Sequence, residues 1–513
     1  MSGTTLGQRF TAPAIRWPAA RALWAFLALH VLIWSVLPAL LQHNLPLDVI
    51  EQLAWGREWQ IVYFKHPPLP AWIVESVAIV SGSWPPALYL VGPLCSALSL
   101  FAIWRLGCAM LGPRRALLAV LAQEGVVYFT IFTPEFNHNV VLLPLWAALG
   151  LSGYRALFGA GNQRAVVGRW AWFGALAALG LLGKYTTVLL LLPMLLLAIL
   201  HPRLRRVWAG PGPWLALAVA LLLLLPHLLG LWRIGFTPLL FPFQRAPGPA
   251  HWYDHIVNPL LFATAQFGDI AAALLAVALL AWRRAGEPVA VPVPAALPPE
   301  QRAYLTTIAW APAGLAVVAS VILGLHLKDM WGYPMWCFIG VFLMAELAGP
   351  FTSGGLWRFG AVWLAILVTV PAVFVVQHTI GGRFTAKPMR SAFPGPELAR
   401  AVEQRWHAVV GDALPIVAGD VWLAGNIAFY GRDRPSVFID ADLAKSPWIT
   451  MQALARQGAV LIWPESEGRP VWLGSFPSAQ GQPPIALPYA PALGHAAARF
   501  EWAILPPARS STP

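Results

Sequence analysis

The sequence contains few charged residues. Asp, Glu, Lys and Arg make up 11% of the 513 residues, whereas a soluble domain carries about 25%. Hydrophobic residues make up 58%, and the mean hydropathy is +0.63. The scarcity of charge excludes an ordinary soluble domain. The apolar residues fall in repeated runs of about 20, the length that crosses a bilayer as a helix, and the alternating ten-residue strands of a membrane barrel are absent.

Cysteine is also scarce. Cys95, Cys108 and Cys337 all lie in apolar runs, which excludes a disulfide framework or zinc site and indicates small buried side chains. The net charge is +12, but a basic stripe with interleaved aromatic residues is absent, so nucleic-acid binding is not expected. No internal repeat of the kind found in many transporters is visible.

The apolar runs predict about eleven transmembrane helices. The first run is longer than a signal-peptide core and lacks a small-x-small cleavage site, so we expect it to be retained. The stretch 70–80 is too short to span and is expected to be re-entrant or interfacial. The predicted spans are 22–41, 84–106, 114–133, 139–158, 170–183, 185–200, 213–232, 259–282, 304–324, 331–348 and 357–378.

Arginines between the spans predict the orientation. If the N-terminus is cytoplasmic, the arginines near the span ends fall on the cytoplasmic side, as the positive-inside rule requires. An odd number of spans then places the C-terminus outside, and the connections 42–69, 134–138, 184, 233–258 and 325–330 face outward. The arginines that follow this rule are Arg9, Arg16, Arg21, Arg114, Arg115, Arg155, Arg164, Arg169, Arg203, Arg205, Arg206, Arg283, Arg284, Arg302 and Arg358.

The pattern changes beyond about residue 380. An amphipathic helix over 397–410 is followed by the short apolar runs "PIVAG", "SVFID" and "AVLIWP", which alternate with helical stretches. The predicted fold is therefore an all-α polytopic membrane protein with a small C-terminal periplasmic α/β domain. The predicted domains are 1–380, with loop helices in 42–69, and 381–513. The Pro-rich stretch 287–300 predicts an extended cytoplasmic linker.

Polar side chains gather in the connections predicted to face outward. A carboxylate can act as a general base on a hydroxyl, and Lys or Arg can hold a phosphate and stabilise its charge as it leaves. Sugar transfer from a phosphate-linked donor needs these groups. The polar residues of these connections include Asp48, Glu51, Arg57, Glu58, Lys65, His66, Glu135, Asn137, His138, Asn139, Lys184, Arg233, Arg245, His251, Asp254, His255, His326, Lys328 and Asp329.

Structural interpretations stay open for several of these residues. Asp48 also fits a cap on the helix that "LDVIEQLAW" predicts, and Glu51 and Glu58 also fit solvated or capping positions. Lys184 interrupts an apolar run with no adjacent acid, which is costly unless it snorkels or binds an anion. The H-x-x-D-H stretch at 251–255 is a weak metal pattern and also fits ordinary loop polarity.

The order of four short blocks resembles one known family. The blocks are "WGREWQIVYFKHPPL", "TPEFNHNVVLLPLWA", "GKYTTVLLLLP" and "LKDMWGYPMW", within roughly residues 40–350. They resemble the family 39 glycosyltransferases of the GT-C group, which include lipid A aminoarabinose transferase, protein O-mannosyltransferases and rhizobial lipid A galacturonosyltransferases. The first block is most similar to the last kind. The resemblance implies an enzyme that takes a sugar from a polyprenyl-phosphate donor at the outer face of the bacterial inner membrane.

The resemblance also implies roles for individual residues. Asp48 matches the family's acid in the first loop, the expected base of an inverting transfer. Lys65 stands where the family often has an acid before the Pro-Pro pair. No bound cofactor is required, and a divalent cation stays open. The residues expected to hold the donor phosphate are Arg57, Lys65, Lys184 and Lys328. Those expected to contact the sugar or acceptor are Glu51, His66, Asn137, His138, Asn139 and His326.

Other functions stay open beside this one. A transporter of a lipid-linked sugar would explain the spans and a phosphate site, but it predicts charges at mid-span depth, whereas here they lie mainly at the outer ends. A protein O-mannosyltransferase-like enzyme and a non-catalytic scaffold are further alternatives. The expected partners are a polyprenyl-phosphate-linked sugar, a lipid or glycan acceptor and membrane lipids, without nucleic acid.

Overall fold

The computed structural model describes residues 17–246, 248–347, 349–491 and 493–508, so Arg9 and Arg16 lie outside the described residues. Most of these residues are helical. The α-helices are α1 (Trp17–Leu41), α2 (Leu47–Gly56), α3 (Leu69–Ser81), α4 (Pro85–Leu88), α5 (Val91–Leu111), α6 (Pro113–Gln123), α7 (Leu142–Phe158), α8 (Gln163–Gly183), α9 (Val188–Leu200), α10 (Gly212–Arg233), α11 (Thr237–Arg245), α12 (Asp254–Ala281), α13 (Pro299–Leu323), α14 (Ile339–Glu346), α15 (Ser353–Thr379), α16 (Gly395–Val409), α17 (Val421–Tyr430) and α18 (Met451–Gln457).

Seven helical stretches among the described residues are long and apolar enough to cross a membrane. Each contains one of the predicted spans or most of it, and the sequence therefore located these helices correctly. The other four predicted spans fall on the shorter helices α6, α7, α9 and α14, some of them extended by 3-10 turns. The total of about eleven spans stays a prediction. The seven stretches are Ala19–Leu41, Pro85–Leu111, Gln163–Gly183, Gly212–Arg233, Asp254–Ala281, Pro299–Leu323 and Ser353–Thr379.

The apolar surface of these helices requires a lipid environment. Only 11% of the most apolar window of α15 is buried within the protein, and Leu222 on α10 is 70% exposed. Water would penalise such continuous apolar surface, whereas hydrocarbon accepts it once the helix has satisfied its own backbone hydrogen bonds. The chain is therefore a multi-pass membrane protein.

One compact unit contains most of the apolar helices. It comprises residues 1–34, 92–133 and 138–371; we call it the helical unit. Helix α8 packs between α7 and α10, and α13 contacts α9 and α12. Gly174 allows a close approach, because a Cβ atom there would lie 2.2 Å from the backbone oxygen of Ala216. The Pro-rich stretch 287–300 is mainly extended, with β1 (Val289–Val291) paired antiparallel to β2 (Phe351–Thr352).

A second compact unit contains the sheet. It comprises residues 35–91, 134–137 and 372–513; we call it the sheet unit. The strand order is β4-β3-β5-β8-β6, with β7 paired to β8. Strands β4 and β5 flank β3 in parallel, and β8 runs antiparallel to β5. The strands are β3 (Ile416–Gly419), β4 (Ser436–Ile439), β5 (Ala459–Pro464), β6 (Gln480–Gly481), β7 (Ile485–Leu487) and β8 (Ala498–Leu505).

The predicted α/β domain is confirmed in its main elements. The runs "PIVAG", "SVFID" and "AVLIWP" form β3, β4 and β5, and the predicted amphipathic helix 397–410 is α16. These strands alternate with helices along the chain, because the crossover between two parallel strands is usually helical. Strand β8 was not predicted, although its "ARFEWAIL" pattern is typical of a strand.

Helix α2 shares the apolar core of the sheet unit. Every residue from Val49 to Gly56 is buried, and Trp55 belongs to the same cluster as Trp406 of α16 and Ile462 of β5. Helix α2 contacts α3 and α17 closely. The predicted domain 381–513 therefore shares its core with the connection 42–69, which the sequence assigned to the other domain.

Candidate functional site

Asp48 lies in the first turn of α2. The N-cap position belongs to Pro46, which makes no side-chain cap hydrogen bond. Asp48 is therefore the second residue of the helix, where a carboxylate interacts favourably with the positive end of the helix dipole. Asp48 therefore does not occupy the cap position of α2, and the favourable interaction that remains is the one with the helix dipole. Because the rest of α2 is buried, the half-buried Asp48 carboxylate lies on a rigid support.

Glu135 lies within electrostatic reach of Asp48. The surrounding protein and the negative charge of Asp48 raise the pKa of Glu135 to about 7, and the positive charge of Arg390 opposes the rise. The Glu135 side chain keeps exposed surface, so the crowding comes from neighbouring atoms and not from complete enclosure. A carboxyl group with a raised pKa beside a second carboxyl group is an arrangement found at sites of acid–base chemistry. Glu135 was noted in the sequence but not placed among the site residues.

Lys65 is held by Glu51 in the sheet unit. The Lys65 ammonium donates to both Glu51 carboxylate oxygens, at 2.8 and 2.9 Å, and lies 5.8 Å from the Trp55 ring centroid. His66 contacts the same indole edge to face, at 6.2 Å. Glu51 is only 8% exposed, so the ion pair compensates a charge that would be costly alone. Glu51 is therefore neither solvated nor capping.

The segment 134–137 is anchored to α2. The buried Gln52 side chain donates from Nε2 to the backbone oxygen of Phe136 at 3.2 Å, and Phe136 is fully buried. This bond places Glu135 and Asn137 beside the helix that carries Asp48. Asn137 is itself buried, with 3% exposure.

Arg57 belongs to a different group of charges in the sheet unit. Its pKa is lowered first by the crowding of nearby protein atoms and then by the positive charge of Arg434, whereas Glu58 and Glu75 oppose the shift. Arg434 donates to both oxygens of the buried Glu75, at 3.2 and 2.9 Å. The charges that act on Arg57 are therefore those of Arg434, Glu58 and Glu75.

In the helical unit, Lys184 lies between α8 and α9. Its ammonium donates to the carboxamide oxygen of Asn139 and lies 5.7 Å from the centroid of the Trp331 ring. An amide oxygen and an aromatic face both orient a cation without neutralising it. The structure therefore brings together two residues that the sequence placed in separate connections, together with an aromatic residue that the sequence did not single out.

A polar network supports the segment that carries Trp331. Tyr128 donates to the Asp269 carboxylate at 2.5 Å and to the backbone oxygen of Asp329 at 2.8 Å. Gln266 donates to the same Asp329 oxygen at 3.0 Å and accepts from the Trp336 indole at 2.9 Å. Sequence reasoning missed this network. Its signal was an acid and an amide inside the apolar run 259–282, since polar groups at such positions are costly and commonly functional.

His326 and Asp254 have hydrogen-bond partners within the helical unit. His326 Nδ1 lies 3.2 Å from the carboxamide oxygen of Asn258, and the Asp254 carboxylate accepts from the backbone N–H groups of residues 250 and 251. These contacts fit ordinary loop polarity at 251–255. Among the residues that the structure describes, no group of three or more His, Cys, Asp and Glu side chains is arranged to hold a metal ion.

The predicted site residues divide between the two units. The sheet unit holds Asp48, Glu51, Arg57, Lys65, His66 and Asn137, and the helical unit holds His138, Asn139, Lys184, His326 and Lys328. Within the sheet unit the structure joins Glu51, Lys65 and His66 through Trp55, and it places Asp48 within reach of Glu135. Within the helical unit it joins Asn139 and Lys184.

Comparison with known proteins gives a family match over part of the chain. Residues 65–230 match the family described as dolichyl-phosphate-mannose-protein mannosyltransferase. The matched segment includes Lys65, His66, the "TPEFNHN" connection and Lys184. It begins after Asp48 and ends before Lys328.

Two curated relatives are rhizobial enzymes. Over 233 residues the chain is 27% identical to the lipid A galacturonosyltransferase RgtD of Rhizobium johnstonii, covering 44% of this chain and 46% of that protein. Over 457 residues it is 23% identical to the lipopolysaccharide core galacturonosyltransferase RgtA of the same organism, covering 87% of this chain and 86% of that protein. The match to RgtD thus spans less than half of its length.

Solved structures share the fold. The crystal structure of ArnT from Cupriavidus metallidurans bound to undecaprenyl phosphate matches with a TM-score of 0.62 and 14% identity, covering 94% of this chain and 98% of that one. The apo structure of the same protein matches with a TM-score of 0.58. The chain therefore has the ArnT-like GT-C fold, and the family match, the relatives and the fold together support a membrane glycosyltransferase.

Proposed function

We propose that the chain transfers a sugar from a polyprenyl-phosphate donor to a lipid A or core-glycan acceptor at the periplasmic face of the inner membrane. The names of the two rhizobial relatives support a lipopolysaccharide acceptor and make galacturonic acid the first sugar to test. The undecaprenyl phosphate bound to ArnT supports the donor class. The observation that carries the proposal is the Asp48 carboxylate on the buried helix α2, whose negative charge acts on the neighbouring Glu135 carboxyl group.

The proposed reaction is an inverting displacement. Asp48 accepts the proton of an acceptor hydroxyl as that oxygen attacks the anomeric carbon of the donor sugar. The bond between the anomeric carbon and the phosphate oxygen breaks, and its electron pair leaves with the polyprenyl phosphate. Glu135 limits the negative charge beside Asp48, because its raised pKa favours the protonated form more than in an ordinary glutamate.

The departing phosphate gains negative charge that needs stabilisation. Lys184, oriented by Asn139 and Trp331, and the half-buried Lys328 supply cations for this role. Lys65 is assigned a positioning role, because Glu51 already compensates its charge. Asn137, His138 and Asn139 are buried polar groups that suit hydrogen bonds to sugar hydroxyls, and Glu51, Arg57 and His326 are assigned no direct contact.

Transfer by the full-length protein in proteoliposomes tests the proposal. The donors are a panel of polyprenyl-phosphate sugars that includes galacturonic acid, and the acceptors are lipid A and core lipopolysaccharide. We expect Asp48→Asn to lower the transfer rate by about 10²- to 10⁴-fold, the usual contribution of a general base. The matched control is Asp412→Asn, which changes an exposed acid of the same unit.

Two results would contradict the proposal. Full transfer by a folded Asp48→Asn variant would remove Asp48 from the chemistry. Movement of a lipid-linked sugar between leaflets, with no transfer from any donor, would favour a transporter.

A further inference from the structure

The sheet unit contains a cavity at the carboxyl ends of its parallel strands. Its volume is about 670 Å³, and its walls include Asp420 after β3, Pro464 at the end of β5, Glu465 after β5, and Arg499 of β8. Strand β3 connects through α17 to β4 on one side, whereas β5 lies on its other side. The chain therefore reverses its strand order between β3 and β5, which is where open α/β sheets bind ligands.

The cavity has the size and lining of a small-molecule site. Ligand sites typically enclose about 300–1,000 Å³ and combine apolar walls with a few polar groups. Here the rings of Trp422 and Tyr489 stand beside the carboxylates of Asp420, Glu465 and Glu467. Trp422 is partly exposed, and its ring packs on Phe393 with centroids 5.1 Å apart, so the indole is held in position.

The start of α17 disfavours a phosphate in this cavity. A free helix N-terminus at a switch point commonly binds phosphate through backbone N–H groups. Here the Asp420 carboxylate occupies that position and accepts from the N–H groups of Trp422 and Leu423, at 2.8 and 3.1 Å. A nucleotide or phosphate would place like charges together, whereas an uncharged ligand would not.

The lining groups match a ligand rich in hydroxyl groups. Carboxylates accept hydrogen bonds from hydroxyls, guanidinium groups donate to them, and aromatic faces cover the apolar face of a sugar ring. Arg499 is already oriented by an ion pair to Glu465, at 3.2 Å. Burial raises the pKa of Asp420 to about 6, and the two N–H bonds oppose this rise, so the carboxylate still accepts hydrogen bonds at neutral pH.

One residue connects this cavity to the candidate catalytic groups. Arg390 lines the cavity, and its positive charge also acts on Glu135, which in turn interacts with Asp48. All of these residues belong to the sheet unit. We infer that the cavity binds the uncharged saccharide portion of the acceptor glycan, with Trp422 as the stacking surface and Asp420 as a hydrogen-bond acceptor. This inference rests on the proposed function for the identity of the saccharide as acceptor.

Direct binding tests the cavity without the transfer reaction. The probe is an uncharged hexose oligosaccharide, titrated calorimetrically into the full-length protein in nanodiscs. We expect Trp422→Ala to weaken binding about tenfold, the loss of roughly one aromatic contact, and Trp422→Phe to restore most of it. Asp420→Asn keeps an N-cap residue and is expected to weaken binding several-fold. The control, Arg456→Gln on the exposed face of α18, is expected to change nothing.

A kinetic arm separates this inference from the proposed function. We expect Trp422→Ala to raise the KM for the acceptor about tenfold and to leave the KM for the polyprenyl-phosphate donor unchanged. If the wild type transfers sugar but both variants keep normal oligosaccharide binding, the cavity assignment is wrong and the proposed function stands. If the wild type transfers nothing but binds the oligosaccharide through Trp422, the saccharide site stands and the proposed function fails. Competition by inorganic phosphate would overturn the assignment in either case.

Discussion

Lys65 in the sheet unit and Lys184 in the helical unit are both partly buried, but their partners differ. Lys65 contacts the two oxygens of the Glu51 carboxylate. Lys184 contacts the carboxamide oxygen of Asn139 and the face of Trp331. Sequence alone assigned the same phosphate-binding role to both.

The two lysines therefore differ in the kind of group they contact, which is a carboxylate for Lys65 and an amide oxygen with an indole face for Lys184. A carboxylate partner makes a pair with no net charge, and removing one member leaves the other buried and uncompensated. An amide oxygen and an indole face orient an ammonium through a hydrogen bond and cation–π attraction. We therefore assign different roles to Lys65 and Lys184, although both side chains are partly buried.

Within the comparison of the two lysines, the larger expected effect comes from Lys184→Met. Loss of a charged hydrogen bond to the donor phosphate is expected to cost about 1.5–3 kcal/mol, or roughly 10- to 100-fold in the KM for the donor. The measurement is initial-rate transfer across a donor series, with Lys387→Met as the control because Lys387 is exposed. An unchanged donor KM in the folded variant would remove the distinction between the two lysines.

The next effect concerns Lys65→Met, and it is expected in stability. The variant leaves the Glu51 carboxylate without its ion-pair partner, and we expect a loss of about 1–3 kcal/mol. Adding Glu51→Gln should recover most of that loss, because the uncompensated charge is then gone. Urea unfolding of both variants in detergent measures the coupling. If the double variant is as unstable as Lys65→Met, Glu51 is not the partner that matters.

A smaller loss of stability is expected for Gly56→Ala at the end of α2. A Cβ atom there would lie 2.4 Å from the backbone oxygen of Ala71 and 2.7 Å from the Cβ of Glu75. Helices α2 and α3 would have to separate, which we expect to cost about 1–2 kcal/mol. Gly474→Ala is the matched control, because nothing lies within 4 Å of the added atom. Equal melting temperatures for the two variants would show that α2 is loosely packed.

The smallest expected effect is a change in pH dependence on replacing Glu135 with Gln. The folded pKa of Glu135 is about 7, above its ordinary value of 4.5. Between these values the folded chain retains a proton that the unfolded chain releases, so stability falls as pH rises. Glu135→Gln should flatten the melting temperature across this window. An unchanged slope would mean that Glu135 is not crowded by Asp48.

Local pattern predicted the elements well. The apolar runs located the seven long helical stretches, and short runs with turn residues located β3, β4 and β5. Both signals depend on periodicity within one segment, which is visible without knowing its neighbours. Lys184 was singled out because a charge that interrupts an apolar run is costly, and Asp48 because it is an acid in the first outward connection; their roles stay predictions.

Partners distant in the chain could not be predicted in this way. Glu51 and Lys65 are 14 residues apart, and Tyr128 and Asp269 are 141 apart. Nothing in either segment specifies the other, since such pairs depend on how whole helices pack. The same limit hid the raised pKa of Glu135, because that shift arises first from the surrounding protein atoms and then from the negative charge of Asp48.

The composition of the sheet unit has a consequence for how the protein is made. His43 bonds to Glu397, 354 residues later in the chain, and the core around Trp55 includes Ile504. At a synthesis rate of about 5–20 residues per second, roughly 20–90 s pass between the synthesis of Trp55 and that of Ile504. During that time the emerging chain displays Trp55 and Tyr63 without the residues that bury them. The first loop therefore reaches its native packing only after β8 has been synthesised.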